Sequence, residues 1–222
     1  MTHTIVFDLD GTLVDTAPDL WRAMNHALSS EGFPTVDVSA VHGLVGQGAL
    51  VMLRRGLAVT GQSVGEETVK KLHGLFLEYY RENLVVDSKP YPSVEAVLNH
   101  LRTDGHILAV CTNKYEEFSR ELLQNIDFAK YFDVIAGPET FGVRKPDPAH
   151  IIKTVEAAGG SPDRAVMIGD SVADIDAAKA ARIPVIAVSF GYTDKPVNEL
   201  GPDTIIDHYD ELTPALQPYL AA

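Results

Sequence analysis

The chain has 222 residues, 45% of them hydrophobic and 22% charged, and carries a formal net charge of −13. That length accommodates one large domain, or a core with a smaller insert, and either can bury an interior without disulfides or a structural metal. The charge excludes ordinary binding to nucleic acid, which depends on Lys and Arg displacing counterions, and no apolar run approaches the length of a bilayer span, so neither nucleic acid nor membrane is expected as a partner.

Cys111 is the single cysteine, and the N-terminus shows no basic stretch followed by an apolar segment and a cleavage site. A reducing, cytoplasmic location is the expectation. An acidic protein still binds a small phosphate where the site itself is made positive by a metal ion, a lysine or helix N-termini.

The first predicted element is a strand, Thr4–Phe7 (TIVF), which runs directly into DLDGTLVD at 8–15. From there to residue 87 no strand is expected and the pattern is helical. Leu20, Met24, Ala27 and Leu28 share one face after Pro18, and Val69, Leu72, Phe76, Tyr79 and Tyr80 share another. The return at 85–92 carries Pro90 and Pro92, as a hinge linker would. Beyond it, β-rich runs at 106–111, 132–136, 165–168, 184–188 and 204–206 alternate with helical patterns at 94–101, 116–126, 149–158 and 172–181. This is the rhythm of β-α-β units and a buried parallel sheet. The fold class read from it is α/β. A catalytic core of 1–15 plus 86–222 would enclose a helical insert of 16–85.

Ligands of doubly wound sheets sit beyond the C-terminal ends of the strands, so residues just after each run should meet. Those positions hold Asp8 and Asp10, Thr112 and Asn113, Lys145, then Asp170 and Asp174. Like-charged carboxylates about 4 Å apart cost on the order of 4 kcal/mol per pair at an effective dielectric of about 20, so the cluster needs a neutralising cation. Oxygen-only donors with room for water and phosphate suit Mg²⁺, whereas zinc would want His or Cys. On such a metal an ionised Asp8 could attack phosphorus, and Asp10 could protonate the leaving alkoxide and then deprotonate water. Thr112 and Lys145 suit the phosphoryl oxygens, and Gly11 lets the backbone turn tightly and offer its N–H groups.

Other readings of the same residues are available. A calcium loop starting at Asp8 would need glycine at Leu13 and glutamate at Asp19, which excludes it. A receiver-like phosphoacceptor or a non-catalytic phosphate-binding protein would also use acids, a Thr and a Lys, but a receiver needs neither Asp10 nor a helical insert. Cys111 reads as a small buried hydrophobe. His26, His42 and His73, and likewise Trp21, Tyr79 and Tyr80, read as surface or packing residues. Arg54 and Arg55 read as solvated helix charges, with the option that one of them meets a substrate carboxylate.

DLDGTLVD at 8–15, CTN at 111–113, KPDP at 145–148 and GDSVAD at 169–174 together resemble the haloacid dehalogenase superfamily of phosphohydrolases. The resemblance spans nearly the whole chain. It implies a Rossmann-like core with a mobile helical cap inserted after the first strand, Asp8 as nucleophile, and Asp10 as general acid and base. It also implies Thr112, Lys145, Asn113 and Gly11 as phosphate contacts, and Mg²⁺ held by Asp8, the Asp10 carbonyl and Asp170 with support from Asp174. Within that superfamily, 15–32 and 43–57 are similar to the phosphatases acting on 2-phosphoglycolate, so a small phosphorylated metabolite is the expected partner of a monomer or homodimer. Relatives acting on pyrophosphate or sugar phosphates, or as hexose-phosphate mutases, are the alternatives. Dehalogenases lack the second aspartate, and phosphonate-cleaving relatives use a cap lysine, while no lysine occurs between 15 and 69.

Overall fold

The computed structural model describes residues 1–193 and 195–221. The chain opens with β1 (Thr4–Phe7) and a two-residue β2 (Val14–Asp15). It then passes through α1 (Ala17–Ser30), α2 (Ala49–Val59) and α3 (Glu66–Glu82), and returns in β3 (Lys89–Pro90). After α4 (Val94–Thr103) come β4 (Ile107–Cys111), α5 (Glu116–Asn125), β5 (Val134–Ala136), the short α6 (Pro138–Phe141) and α7 (Pro148–Ala157). The chain ends with β6 (Ala165–Gly169), α8 (Val172–Ala181), β7 (Val185–Val188), β8 (Thr204–Ile206) and α9 (Leu212–Leu220).

Six strands form one parallel sheet in the order β5-β4-β1-β6-β7-β8. All four residues of β1 are buried, because helices cover both faces, and this is why TIVF reads as a continuous apolar run. Alternate side chains serve two separate cores. Ile5 and Phe7 join Leu108, Val110 and Ile168 on one face, and Val6 joins Cys111, Met167, Ile151 and Ile175 on the other. Each buried aliphatic or aromatic side chain contributes roughly 1.5–3 kcal/mol, and truncating one in so close-packed a layer costs about 2–5 kcal/mol.

The chain leaves β1 for β4 and β5 on one side, then crosses back to β6 on the other side of β1. The strand order thus reverses about β1, and a crevice opens beyond its C-terminal end. The three helices between β2 and β3 pack on one another through the faces expected. Leu20, Met24, Ala27 and Leu28 of α1 and Val69, Leu72, Phe76 and Tyr80 of α3 are buried, and Tyr79 stacks on His26 with ring centroids 4.3 Å apart. Gly56 of α2 lies against Met24, where a Cβ would strike the thioether sulfur.

The passage from 16 to 88 holds no strand, as expected, but the hinge-like return at 85–92 is tied down. Val14 pairs with Pro90 and Asp15 with Lys89 in an antiparallel ribbon that ties the outgoing and returning chain together. Pro90 is tolerated because a two-stranded ribbon has an open edge. The return is also pinned by Asp19 of α1. Its buried carboxylate accepts hydrogen bonds from the backbone N–H groups of Val86, Asp87 and Ser88 and from the Ser88 hydroxyl.

Candidate active site

Each expected station lies where its strand ends. Asp8 follows β1, Thr112 and Asn113 follow β4, Asp170 follows β6, and Lys145 sits in the loop entering α7. Lys145, almost completely buried, joins three of these elements. Its ammonium donates to the Cys111 carbonyl at 2.6 Å and to Asp174 Oδ1 at 2.5 Å, and lies 3.0 Å from Asp8 Oδ1. Asp8 Oδ1 also accepts the Leu9 N–H at 2.7 Å, so the contacts that orient this carboxylate fall on one oxygen.

Asp174 occupies the first turn of α8. Its Oδ2 accepts the backbone N–H groups of Ser171 and Asp170 at 3.0 and 3.3 Å and the Ser171 hydroxyl at 2.7 Å. One oxygen therefore caps the helix and shapes the loop carrying Asp170, and the other holds Lys145. Asp170 accepts from the Thr12 hydroxyl at 3.2 Å and from the Tyr192 N–H at 2.5 Å. Gly11, at φ +83°, passes so close that a Cβ would overlap Asp170 and the Tyr192 ring. Only glycine meets both the backbone conformation and the contact.

The Asp10 side chain takes a different course. It lies outside the carboxylate cluster, and Oδ1 accepts from the Thr16 hydroxyl at 2.7 Å. It also pairs with Lys114, whose Nζ is 2.9 Å from Oδ1 and 3.1 Å from Oδ2. The same ammonium donates to the Tyr80 hydroxyl at 2.6 Å, so it bridges the strand-end loop and α3. Sequence reasoning missed both partners. Lys114 stands one residue beyond the CTN stretch, at the end of the same strand, and that position was the available signal. Tyr80 was read as packing, and its ring is indeed buried against Phe76 and Phe118.

A cavity of about 130 Å³ opens over these groups. Asp8, Asp10, Thr112 and Lys114 line its floor, and Tyr80 and Phe76 belong to its helical side. Thr112 is buried, its hydroxyl oxygen accepting the Lys114 N–H at 3.1 Å. Asn113 lines the wall and donates to the Lys145 carbonyl at 3.0 Å, while its buried Oδ1 has no partner among the described residues. His73, read as surface or packing, also lines the cavity, and burial lowers its pKa. Arg54 and Arg55 do not line it: Arg54 pairs with Glu66, and Arg55 donates to the Gly43 carbonyl.

Electrostatics show what the cluster needs. Burial pushes the Asp8 carboxyl up to about 7 against the pull of Lys145, and burial together with Asp174 and Asp8 holds Asp170 well above the carboxylate range. Burial opposes the Lys145 ammonium, yet Asp174 and Asp8 more than offset it and keep the lysine charged. Burial likewise pushes the Cys111 thiol up to about 12, so it is an inert core residue. Oxygens of Asp8, Asp170 and Asp174 lie within 4.8 Å of one another. Three buried acids facing one ammonium, with no His or Cys donor among them, fit a hard divalent cation.

The comparisons with known proteins agree with this geometry. Residues 5–188 match the model of the haloacid dehalogenase-like hydrolase family. The chain is 46% identical to a phosphoglycolate phosphatase of Mesorhizobium japonicum over 94% of its length and 92% of the relative's. It is 45% identical to one of Agrobacterium fabrum, covering 95% and 91%. The crystal structure of a "predicted phosphoglycolate phosphatase" from Haemophilus somnus 129PT superposes with a TM-score of 0.90 at 32% identity, over 97% of this chain and 98% of that one. No helix among the described residues is long and apolar enough to cross a membrane. The chain belongs to the haloacid dehalogenase-like hydrolases and is a phosphoric monoester hydrolase.

Proposed function

We propose that the chain is a Mg²⁺-dependent phosphatase of a small phosphomonoester, 2-phosphoglycolate foremost, acting through an aspartyl phosphate on Asp8. The observation that carries the reading is the convergence of Lys145, Asp8 and Asp174, from three separate parts of the sequence, in one buried cluster beyond the strand ends. The names of the full-length relatives support the substrate.

Asp8 and Asp170 are the carboxylates that would hold the cation, with the Asp10 carbonyl as the family resemblance implies. When bound, Mg²⁺ supplies positive charge for the phosphoryl oxygens and keeps both acids ionised. Asp8 Oδ2, uncommitted among the described residues, attacks phosphorus, and the bond from phosphorus to the ester oxygen breaks. Asp10 gives that oxygen its proton. It then takes a proton from the water that attacks the aspartyl phosphate, which restores Asp8 and releases phosphate. Lys145 and the Thr112 hydroxyl stabilise charge on the transferring group. Asp174 acts as a positioning residue, since both its oxygens are committed to Lys145 and the Asp170 loop. Residues 16–85 form the cap in this reading, excluding bulk water over a core of 1–15 plus 86–222.

The test is phosphate release with Mg²⁺ across 2-phosphoglycolate, sugar phosphates, nucleotides and pyrophosphate, for the native chain and for Asp8→Asn and Asp10→Asn. A kcat/KM highest for 2-phosphoglycolate and abolished in both variants is expected. Substantial turnover by Asp8→Asn would remove the nucleophile, and a preference for pyrophosphate or hexose phosphates would remove the substrate.

A further inference from the structure

The cavity has to recognise a leaving group as well as a phosphate. In 2-phosphoglycolate one methylene separates the ester oxygen from the carboxylate carbon, so the carboxylate oxygens lie about 3–4 Å from the ester oxygen. The acid that protonates the ester oxygen must itself stand about 3 Å from it. A cation meeting the substrate carboxylate therefore has to sit beside Asp10. Two Lys or Arg side chains line the cavity among the described residues, Lys114 and Arg144. Arg144 is exposed, and Lys114 is buried with its Nζ 2.9 Å from Asp10 Oδ1.

We infer that Lys114 is a specificity-determining residue that reads the carboxylate of the substrate, held for that purpose by the hydroxyl of Tyr80 from α3. The inference rests on the substrate reading above. A lysine ammonium carries three donors, and here Tyr80 takes one while both Asp10 oxygens face the other two at 2.9 and 3.1 Å; once Asp10 carries the proton it delivers, one of those oxygens stops accepting, which leaves one donor for a ligand oxygen. The Tyr80 ring adds a contact with the ammonium 4.6 Å from its centroid, so the charge is anchored on the helical side as well as on the strand-end loop. A neutral ester offers nothing to the free donor, whereas a carboxylate placed next to the ester oxygen completes it. Discrimination and acid catalysis thereby share one ion pair. Tyr80 acts through Lys114 and is a positioning residue.

The experiment compares kcat/KM for 2-phosphoglycolate with that for 2-phosphoglycolamide, in which a neutral amide replaces the carboxylate. Native enzyme, Lys114→Met, Tyr80→Phe and Arg144→Gln are measured with Mg²⁺. The native ratio should favour the carboxylate, fall by roughly 100-fold in Lys114→Met, and fall by roughly 10-fold in Tyr80→Phe mainly through KM. Arg144→Gln should keep the native ratio. No native preference for the carboxylate would overturn the substrate reading and this inference with it. A native preference that survives Lys114→Met, or collapses in Arg144→Gln, would overturn the inference alone. Should Lys114→Met not fold, the Tyr80→Phe ratio decides, and an unchanged value sinks the assignment.

Discussion

Withdrawing divalent cations should make the stability of this protein fall as pH rises from about 4 towards 7. Asp8, without a cation, titrates at about 7 in the folded chain against 3.8 for the ordinary carboxyl. Between those values the folded state holds a proton that the unfolded state has released. The stability slope with pH is therefore negative, and the full penalty is present above pH 7. A shift of about three units corresponds to an upper figure of about 4 kcal/mol, and Asp170, also raised, pushes the same way. For a chain of this length that amounts to a melting temperature lower by about 10 °C. A cation held by Asp8 and Asp170 as carboxylates removes the penalty, so the loss should be confined to protein in EDTA. Melting curves in EDTA and in Mg²⁺, taken at steps from about pH 5 to about pH 7.5, measure the difference directly. The gap between the two profiles should widen with pH, and Asp8→Asn should narrow it. Parallel profiles with and without Mg²⁺ would refute the account of a carboxylate cluster that waits for a cation.

Lys145→Met leaves Asp8 and Asp174 without their shared ammonium and should destabilise the EDTA-treated protein by about 3–5 kcal/mol, read by urea unfolding; a loss under about 1 kcal/mol would contradict the burial argument. Asp174→Asn should weaken Mg²⁺ activation by about 10- to 100-fold, because the Asp170 loop and Lys145 both lose their anchor, and an unchanged activation curve would show that Asp174 is dispensable. Gly11→Ala should lower the melting point and abolish turnover together, since the new methyl strikes Asp170 at a positive φ; retention of native activity would mean that the loop has room to move. Asp19→Ala strips four hydrogen bonds from the chain returning at 86–88 and should cost about 2–4 kcal/mol in urea unfolding, with a change within error counting against the pin.

The gathering of these site residues was legible because each of them is local to a strand end. Asp8, Thr112, Lys145 and Asp170 each follow an apolar run or its loop, and a parallel sheet gathers such positions at one rim whatever lies between them. The helical faces of α1 and α3 were legible from their 3.6-residue period, and the buried parallel sheet from its apolar runs. The surroundings of Asp10 were not. Lys114 looks like any loop lysine and Tyr80 like any core aromatic until α3 is docked over the strand ends, which brings a hydroxyl from 34 residues upstream to 2.6 Å from the ammonium. That His73 would line the cavity was hidden for the same reason, for a position along a helix says which residues share a face but not what that face will cover.

Sequence by itself therefore determined the α/β class and the convergence of the strand-end acids with Lys145, because charge, period and strand order are properties of the chain. Only the tertiary structure decided that Asp10 would be held by Lys114 and Thr16, that Asp174 would spend both oxygens on positioning, and that Asp19 would pin the returning chain. Those outcomes depend on how one packed layer seats against another, and side-chain contacts across a packing interface leave no periodic trace in either partner.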